Sequence, residues 1–209
     1  MVLFAKAPVP GRVKTRLAAV VGDDAAARLH TAFVWDTLDK LREFNDFADV
    51  ELHTDTPTDA WEDAAVVRKV QAPGGLQLKL LHAIEQGLAA ARPQVIILGS
   101  DSPTLPRVHL HRLIQSQADV VLGPCEDGGY YAIGCRRAHP GMFAEVQWST
   151  KNVLEETERA AHACGLMVEK GYPWYDVDGP DDLARLAEEQ DLPPHTREAL
   201  RAAGIGRAV

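Results

Sequence analysis

Short apolar runs alternate with stretches of helical periodicity along almost the whole chain, and this alternation restricts the fold more than any other feature. Several of the runs lack alternating polar residues, as is typical of strands that are covered on both faces of a sheet. The predicted strands cover residues 2–5, 50–53, 66–70, 95–98, 120–123, 130–133 and 166–168. The predicted helices cover residues 24–41, 76–91, 107–115, 150–163 and 180–189. This pattern predicts an open, mostly parallel α/β sheet.

The length of 209 residues favours one domain, because a division would leave two small halves. We predict an α/β domain over residues 1–189 and a helical C-terminal tail over residues 190–209. The stretch 191–194, which contains two prolines, joins them and precedes a short predicted helix over residues 196–203.

The charge balance narrows the range of ligands. The 22 basic and 30 acidic side chains give a formal net charge of −8, which argues against broad binding to nucleic acids or anionic membranes. The apolar run over residues 95–98, like the other apolar runs of the chain, is far too short to span a bilayer. Neither an export signal nor a C-x-x-C pair is visible, so we expect a cytoplasmic location with reduced cysteines. An anionic ligand must then be bound by a local cluster of cations.

Such a cluster follows the first predicted strand. Residues 6–17 contain four cations and no acid, although the chain is acidic overall. Prolines and a glycine turn this loop, and a helix that begins near Lys14 adds N–H groups and its dipole, which together form a phosphate cradle. The alternative is a solvated basic turn. The predicted nucleotide and phosphate ligands are Lys6, Pro8, Gly11, Arg12, Lys14 and Arg16.

Two acidic residues at the ends of other segments suggest a metal site. Asp101 follows the strand over residues 95–98, where a carboxylate and the phosphates of a substrate hold Mg²⁺ or Mn²⁺. Its alternative role is to cap the helix that follows, or a turn, through its side chain. Asp176 and Asp178 face the same side of an extended segment, and Asp178 is predicted to share the ion with Asp101. Without the ion, we expect the two carboxylates to repel each other and one pKa to be raised.

A third segment, residues 123–131, contains two acids followed by two glycines. Asp127, with its neighbour Glu126, is predicted to act as a general base or to orient an acceptor. The alternative is a hairpin turn, because Asp-Gly is a strong turn signal. The residues predicted on the acceptor side are Gly128, Gly129, Tyr130 and Trp148. Trp148 also precedes a predicted helix start, with Ser149 as its cap.

Five segments together resemble the signatures of a known family. They read FAKAPVPGRVKTRL (residues 4–17), LGSDSPTL (98–105), GPCEDGGYY (123–131), WST (148–150) and DVDGPDDL (176–183). The family is a bacterial GT-A-like glycosyltransferase family, once labelled a domain of unknown function and also called selenodomain-associated transferase. The resemblance implies a nucleotide-diphospho-sugar transferase fold, a Rossmann-like three-layer α/β/α sandwich with a mostly parallel mixed sheet. It also implies that the 6–16 loop binds the nucleotide, that Asp101 belongs to a D-x-D-like metal motif, and that Asp178 is the second metal-side acid.

Two transfer reactions fit these residues. The first hypothesis is a metal-dependent glycosyltransferase that moves a sugar from a nucleotide-diphospho-sugar to a small-molecule acceptor. The alternative is a nucleotidyltransferase that joins a nucleoside triphosphate to a phosphorylated small molecule and releases pyrophosphate. The loop around Lys14 also resembles the triphosphate loop of such enzymes, including guanylyltransferases. A third hypothesis is a non-catalytic nucleotide-binding module. The fold alone does not choose among them, and the sequence predicts no oligomeric state.

Overall fold

The computed structural model describes residues 1–205. The strands are β1 Val2–Ala5, β2 Glu51–Thr54, β3 Val67–Val70, β4 Val95–Gly99, β5 Val120–Pro124, β6 Tyr130–Cys135 and β7 Val168–Lys170. The helices are α1 Thr15–Val21, α2 Asp23–Arg42, α3 Leu76–Ala89, α4 Arg107–Gln115, α5 Val153–Ala163, α6 Pro180–Glu188 and α7 Pro194–Ala202. A short 3₁₀ helix, Pro140–Phe143, precedes α5. Every predicted strand and helix overlaps one of these elements.

The strands form one sheet in the order β3-β2-β1-β4-β6-β5-β7. β2 pairs with β3 and β5 pairs with β7 in parallel, whereas β6 runs antiparallel to both of its neighbours, β4 and β5. The prediction of an α/β fold with a mostly parallel mixed sheet is therefore confirmed. The antiparallel β6 arises because β5 and β6 are joined by a short hairpin, which reverses the chain direction.

The described chain divides into two compact units. One contains residues 3–70, 100–104 and the chain from residue 176 onward, and the other contains residues 1–2, 71–99 and 105–175. Phe33, Leu52 and Trp61 are fully buried in the first unit, and Ile84 and Leu113 are fully buried in the second. The division into a domain over 1–189 and a tail stays a prediction. Helix α7 lies within that tail, and the tail residues 206–209 lie outside the described residues.

Helix α5 begins later than predicted. The expected start was Thr150 with Ser149 as the cap, but the helix begins at Val153 after Asn152. Ser149 has a left-handed backbone with φ of 65°. The hydroxyl of Thr150 donates to the carbonyl of Gln147 and so closes a turn ahead of the helix. This local turn, with its left-handed residue, delays the helix by three residues.

None of the helices in residues 1–205 combines the length and the apolar character that crossing a bilayer requires. The three cysteines of the chain are free thiols, and Cys125 and Cys135 are buried. Their role as core side chains agrees with the absence of a C-x-x-C pair in the sequence.

Candidate active site

The ammonium of Lys14 lies between the two carboxylates that were predicted to bind a metal. Its Nζ is 2.6 Å from Asp101 Oδ1 and 2.7 Å from Asp178 Oδ1. It also donates to the main-chain carbonyl of Val177 at 2.8 Å. Because a lysine ammonium has three donor hydrogens, these three oxygens satisfy it completely. The tertiary structure thus brings together a predicted phosphate ligand and both predicted metal ligands.

Local backbone structure sets the position of each group. Lys14 is the N-cap residue of α1 and has a left-handed backbone with φ of 46°. The N–H of Val177 donates to the main-chain carbonyl of Asp101 at 2.8 Å, which ties the two acidic segments to each other. The carboxylate of Asp182 accepts from the N–H groups of Asp178 and Gly179 at 3.1 Å and 2.7 Å. Asp178 is therefore held at the start of α6.

Helix α6 begins where the sequence predicted a helix, over residues 180–189. Gly179 is the N-cap residue, Pro180 occupies the first helical position, and Asp182 Oδ2 accepts from the main-chain N–H of Gly179 at 2.7 Å. A proline is favoured at this position because its missing N–H has no helical partner to lose. Asp182 therefore has a structural role at the start of α6, whereas the Asp178 carboxylate, which precedes the helix, bonds to Lys14.

Burial differs sharply within this cluster. The Lys14 side chain is 4% exposed, whereas those of Asp101 and Asp178 are 42% and 43% exposed. Burial by itself lowers the pKa of Lys14, but the charges and hydrogen bonds of the two carboxylates outweigh it and raise the pKa above the ordinary 10.5. Partial removal of Asp101 from water would by itself raise its pKa, but the Lys14 charge holds that pKa below the ordinary 3.8. Asp101 therefore does not show the raised pKa expected from carboxylate repulsion, because the Lys14 ammonium offsets that repulsion.

The donor set fits a divalent cation. Two carboxylate oxygens and one main-chain carbonyl converge on a single point, and hard oxygen ligands of this kind suit Mg²⁺ and Mn²⁺. The ammonium of Lys14 shows that this point attracts a cation. A metal role for Asp101 and Asp178 remains a prediction that the chemistry of these oxygens favours.

Two side chains fix the peptide bond at the start of the basic loop. The Nε2 of His30 lies 2.9 Å from the carbonyl oxygen of Lys6, and the N–H of Ala7 donates to Asp55 Oδ1 at 2.7 Å. His30 is 3% exposed, and its pKa is lowered chiefly by that burial. A neutral imidazole is consistent with donation from Nε2 to a carbonyl. The Lys6–Ala7 peptide is thereby held from both of its polar ends.

A cavity of about 100 Å³ opens beside this loop. Its lining residues are Lys6, Ala7, Val9, Arg12, Asp55 and Thr56. The sequence analysis did not select Asp55 and Thr56. A signal was present, because both lie within three residues of the end of the strand predicted over residues 50–53, at the sheet edge where ligands bind.

The other predicted loop ligands are distributed around the cavity and α1. The side chains of Lys6, Arg12 and Arg16 are exposed, and Pro8 is half-buried. Gly11 has φ of 76°, a conformation that favours glycine, and turns the loop. The guanidinium of Arg16 lies beside Gly179, with one terminal nitrogen 3.2 Å from the position that a Cβ there would occupy. A phosphate role for these residues remains a prediction.

The segment with Asp127 belongs to the other compact unit. Asp127 and Glu126 are exposed, and Asp127 Oδ1 accepts from the N–H of Gly129 at 2.8 Å. The N–H of Cys125 donates to the carbonyl of Gly129 at 2.9 Å, which closes the hairpin between β5 and β6. The turn that was considered as the alternative is therefore present. A catalytic role for the two acids remains a prediction.

The remaining acceptor-side residues are neighbours within that unit. Gly128 has φ of 91°, and a Cβ there would overlap the carbonyl of Lys151. The rings of Tyr130 and Trp148 meet edge to face with centroids 6.5 Å apart. The Tyr130 hydroxyl is buried, and that burial raises its pKa. These contacts account for a packed hairpin and leave acceptor binding as a prediction.

Comparison with known proteins shows the family of the chain. A profile of the family described as "Uncharacterized protein conserved in bacteria" (DUF2064) matches residues 37–150, which is more than half of the chain. The chain is 31% identical over 191 residues to a 3-phospho-D-glycerate guanylyltransferase from Phenylobacterium zucineum, covering 83% of this chain and 84% of that protein. It is 27% identical over 185 residues to a 2-phospho-L-lactate guanylyltransferase from Haloarcula marismortui, covering 88% and 85% respectively.

A solved structure is similar over nearly the whole chain. It is a protein from Desulfovibrio desulfuricans G20, provisionally described as a nucleotide-diphospho-sugar transferase. The two share 29% identity and a TM-score of 0.85, with 97% of this chain and 94% of that chain covered. The fold implied by the sequence motifs is therefore confirmed. The two curated relatives favour nucleotidyl transfer over the glycosyl transfer that the sequence hypotheses placed first.

Proposed function

We propose that this chain, which belongs to the family described as "Uncharacterized protein conserved in bacteria" (DUF2064), is a nucleotidyltransferase that uses a nucleoside triphosphate and a small phosphorylated acid. The chain is a transferase, in agreement with its curated relatives. Both of those relatives are named as guanylyltransferases of a phosphorylated carboxylic acid. The proposed donor is therefore GTP, and the proposed acceptor carries one phosphate and one carboxylate.

The observation that carries this proposal is the convergence of Lys14, Asp101 and Asp178 beside a basic loop. Binding a triphosphate requires several cationic groups and a metal site close together. Lys6 and Arg12 of this loop are exposed and line the cavity beside it. Bound by the two aspartates, Mg²⁺ would supply stabilisation of the negative charge on the phosphates. The side chains of the loop would orient the triphosphate and hold its departing end.

The bonding changes need few proton transfers. An oxygen of the acceptor phosphate attacks the α-phosphorus, the bond between that phosphorus and the β-phosphate oxygen breaks, and pyrophosphate leaves with the electron pair. An acceptor phosphate is already ionised near neutral pH, so no general base is required to activate it. A sugar acceptor that reacts through a hydroxyl would need such a base, and the exposed Asp127 is the residue predicted for that role. Nucleotidyl transfer to a phosphate therefore requires less of the protein's side chains than glycosyl transfer to a hydroxyl does.

The proposal is tested by measuring pyrophosphate release with GTP and either 2-phospho-L-lactate or 3-phospho-D-glycerate in the presence of Mg²⁺. We expect pyrophosphate and a guanylylated acid in equal amounts, and less product with ATP, CTP or UTP. Asp101→Asn should abolish turnover, and the exposed Arg28→Met serves as a folded control. Release of a nucleoside diphosphate from a nucleotide sugar, with no pyrophosphate from any triphosphate, would establish glycosyl transfer instead.

A further inference from the structure

The ammonium of Lys14 is bonded to the carboxylate oxygens that were predicted to bind a metal. Lys14 was predicted to bind phosphate and the aspartates to bind a metal, yet Nζ lies 2.6 Å and 2.7 Å from one oxygen of each carboxylate. A divalent ion shared by those two oxygens would bind each at about 2.1 Å. The ammonium and the ion would then lie within a few ångströms of each other, where two positive centres repel strongly.

We propose that the Lys14 ammonium and a divalent cation bind Asp101 and Asp178 in a mutually exclusive way. In this scheme the lysine is the exchangeable counter-ion of the metal site. It keeps two ionised carboxylates together, and it leaves them when a metal takes the same oxygens. The ammonium is a compact charge on a flexible four-carbon stem, so side-chain torsions alone can move it.

The displaced ammonium needs a new anionic partner. The side chain is 4% exposed and lies over the Phe33 ring, with Nζ 5.9 Å from the ring centroid. Releasing a charge from this position into an apolar surrounding is unfavourable. The phosphates of a donor supply the replacement, so metal and polyphosphate should each strengthen the binding of the other. Metal alone should bind weakly, because nothing then compensates the ammonium.

This inference rests on the proposed function for the identity of the polyphosphate, but its test needs no nucleotide. Failure of the pyrophosphate assay and failure of the metal titration are therefore distinguishable. The first test is a calorimetric titration of the folded protein with Mn²⁺ alone. We expect Lys14→Met to bind Mn²⁺ about tenfold more tightly than the natural protein, while the exposed Lys151→Met, which removes the same charge elsewhere, leaves the affinity unchanged.

Two further variants serve as controls for this titration. Lys14→Gln retains a hydrogen-bond donor for the carboxylates without the charge, and should show the same gain if Lys14→Met folds poorly. Adding Asp101→Asn to either variant should remove the gain. An affinity that falls or stays constant in the Lys14 variants overturns the proposal, and so does a gain that survives Asp101→Asn, because the ion would then be bound elsewhere.

A second measurement uses the natural protein and follows the lysine directly. Acetylation by an amine-reactive ester, read by mass spectrometry, should modify Lys14 slowly without metal because the amine is buried and ion-paired. At Mn²⁺ concentrations that occupy the site, we expect Lys14 to be modified at least several-fold faster, with Lys151 unchanged. If Lys14 is equally protected with and without bound metal, the ammonium stays on the carboxylates while the ion binds, and exclusive binding is refuted.

Discussion

Replacing Asp101 by asparagine should destabilise the protein, although it removes one of two neighbouring negative charges. In the natural protein the Lys14 ammonium is bonded to Asp101, Asp178 and the carbonyl of Val177. Asparagine keeps the shape and one acceptor oxygen but loses the charge that offsets the burial of the ammonium. The variant therefore weakens one of three bonds to a side chain that is 4% exposed.

The magnitude follows from the partial exposure of the carboxylate. A hydrogen bond to a charged group contributes about 1.5–3 kcal/mol, and an exposed ion pair contributes about 0.2–1 kcal/mol. The Asp101 side chain is 42% exposed, so water screens part of the interaction. We expect a loss of about 1–2 kcal/mol in the free energy of unfolding at pH 7, between these two limits.

The direction of the Asp101 pKa shift determines how the stability difference between the two proteins changes with pH. Lys14 holds the pKa of Asp101 below the ordinary 3.8, so the folded state binds this proton less readily than the unfolded chain does. The stabilisation is then complete above the unfolded pKa and is lost as the pH falls through the folded pKa. The difference between the natural protein and Asp101→Asn should be constant from pH 7 to pH 5 and should shrink below about pH 4.

Urea denaturation at these pH values, followed by circular dichroism, measures the difference. Asp39→Asn is the matched control, because the Asp39 side chain is 45% exposed, close to the value for Asp101, and it pairs with Arg42 and His195. Removing its charge should cost about 1 kcal/mol or less. An Asp101→Asn variant as stable as the natural protein at pH 7, or more stable, would mean that carboxylate repulsion dominates and that Lys14 does not neutralise it.

Three other substitutions test separate parts of the structure. Asp36→Ala removes the carboxylate that accepts two main-chain N–H groups in the first turn of α7, and should cost about 2–4 kcal/mol in urea denaturation. Gly128→Ala should cost about 2–3 kcal/mol more than Gly165→Ala, because both have positive φ but only the first meets a carbonyl. Arg12→Ala should weaken GTP binding in calorimetry by about 1.5–3 kcal/mol without changing thermal stability, unlike the exposed Arg28→Ala, which should leave both unchanged.

The sequence by itself determined the elements and much of their local ends. Helix α4 has the predicted bounds, residues 107–115, because its apolar period and the preceding proline are properties of neighbouring residues. The start of α6 at Pro180 could be predicted because the preference of proline for the first helical position is also a local property. The strand ends then indicated where ligands bind, which was sufficient to select Asp101, Asp178 and the basic loop as candidates.

Only the tertiary structure decided what those charges do to one another. Lys14 and Asp178 are 164 residues apart in the chain and are in contact at 2.7 Å. The same ammonium lies 2.6 Å from Asp101 Oδ1 and lowers the pKa of that carboxyl, whereas carboxylate repulsion would raise it. The pKa of a side chain depends on which charges lie within a few ångströms and how far water is excluded, and neither quantity is encoded in local sequence. The same holds for Asp55. Its carboxylate accepts from the N–H of Ala7, 48 residues away in the chain, and only the tertiary structure shows this contact. Local patterns specify the elements, whereas the assembly of distant segments specifies the electrostatics of the site.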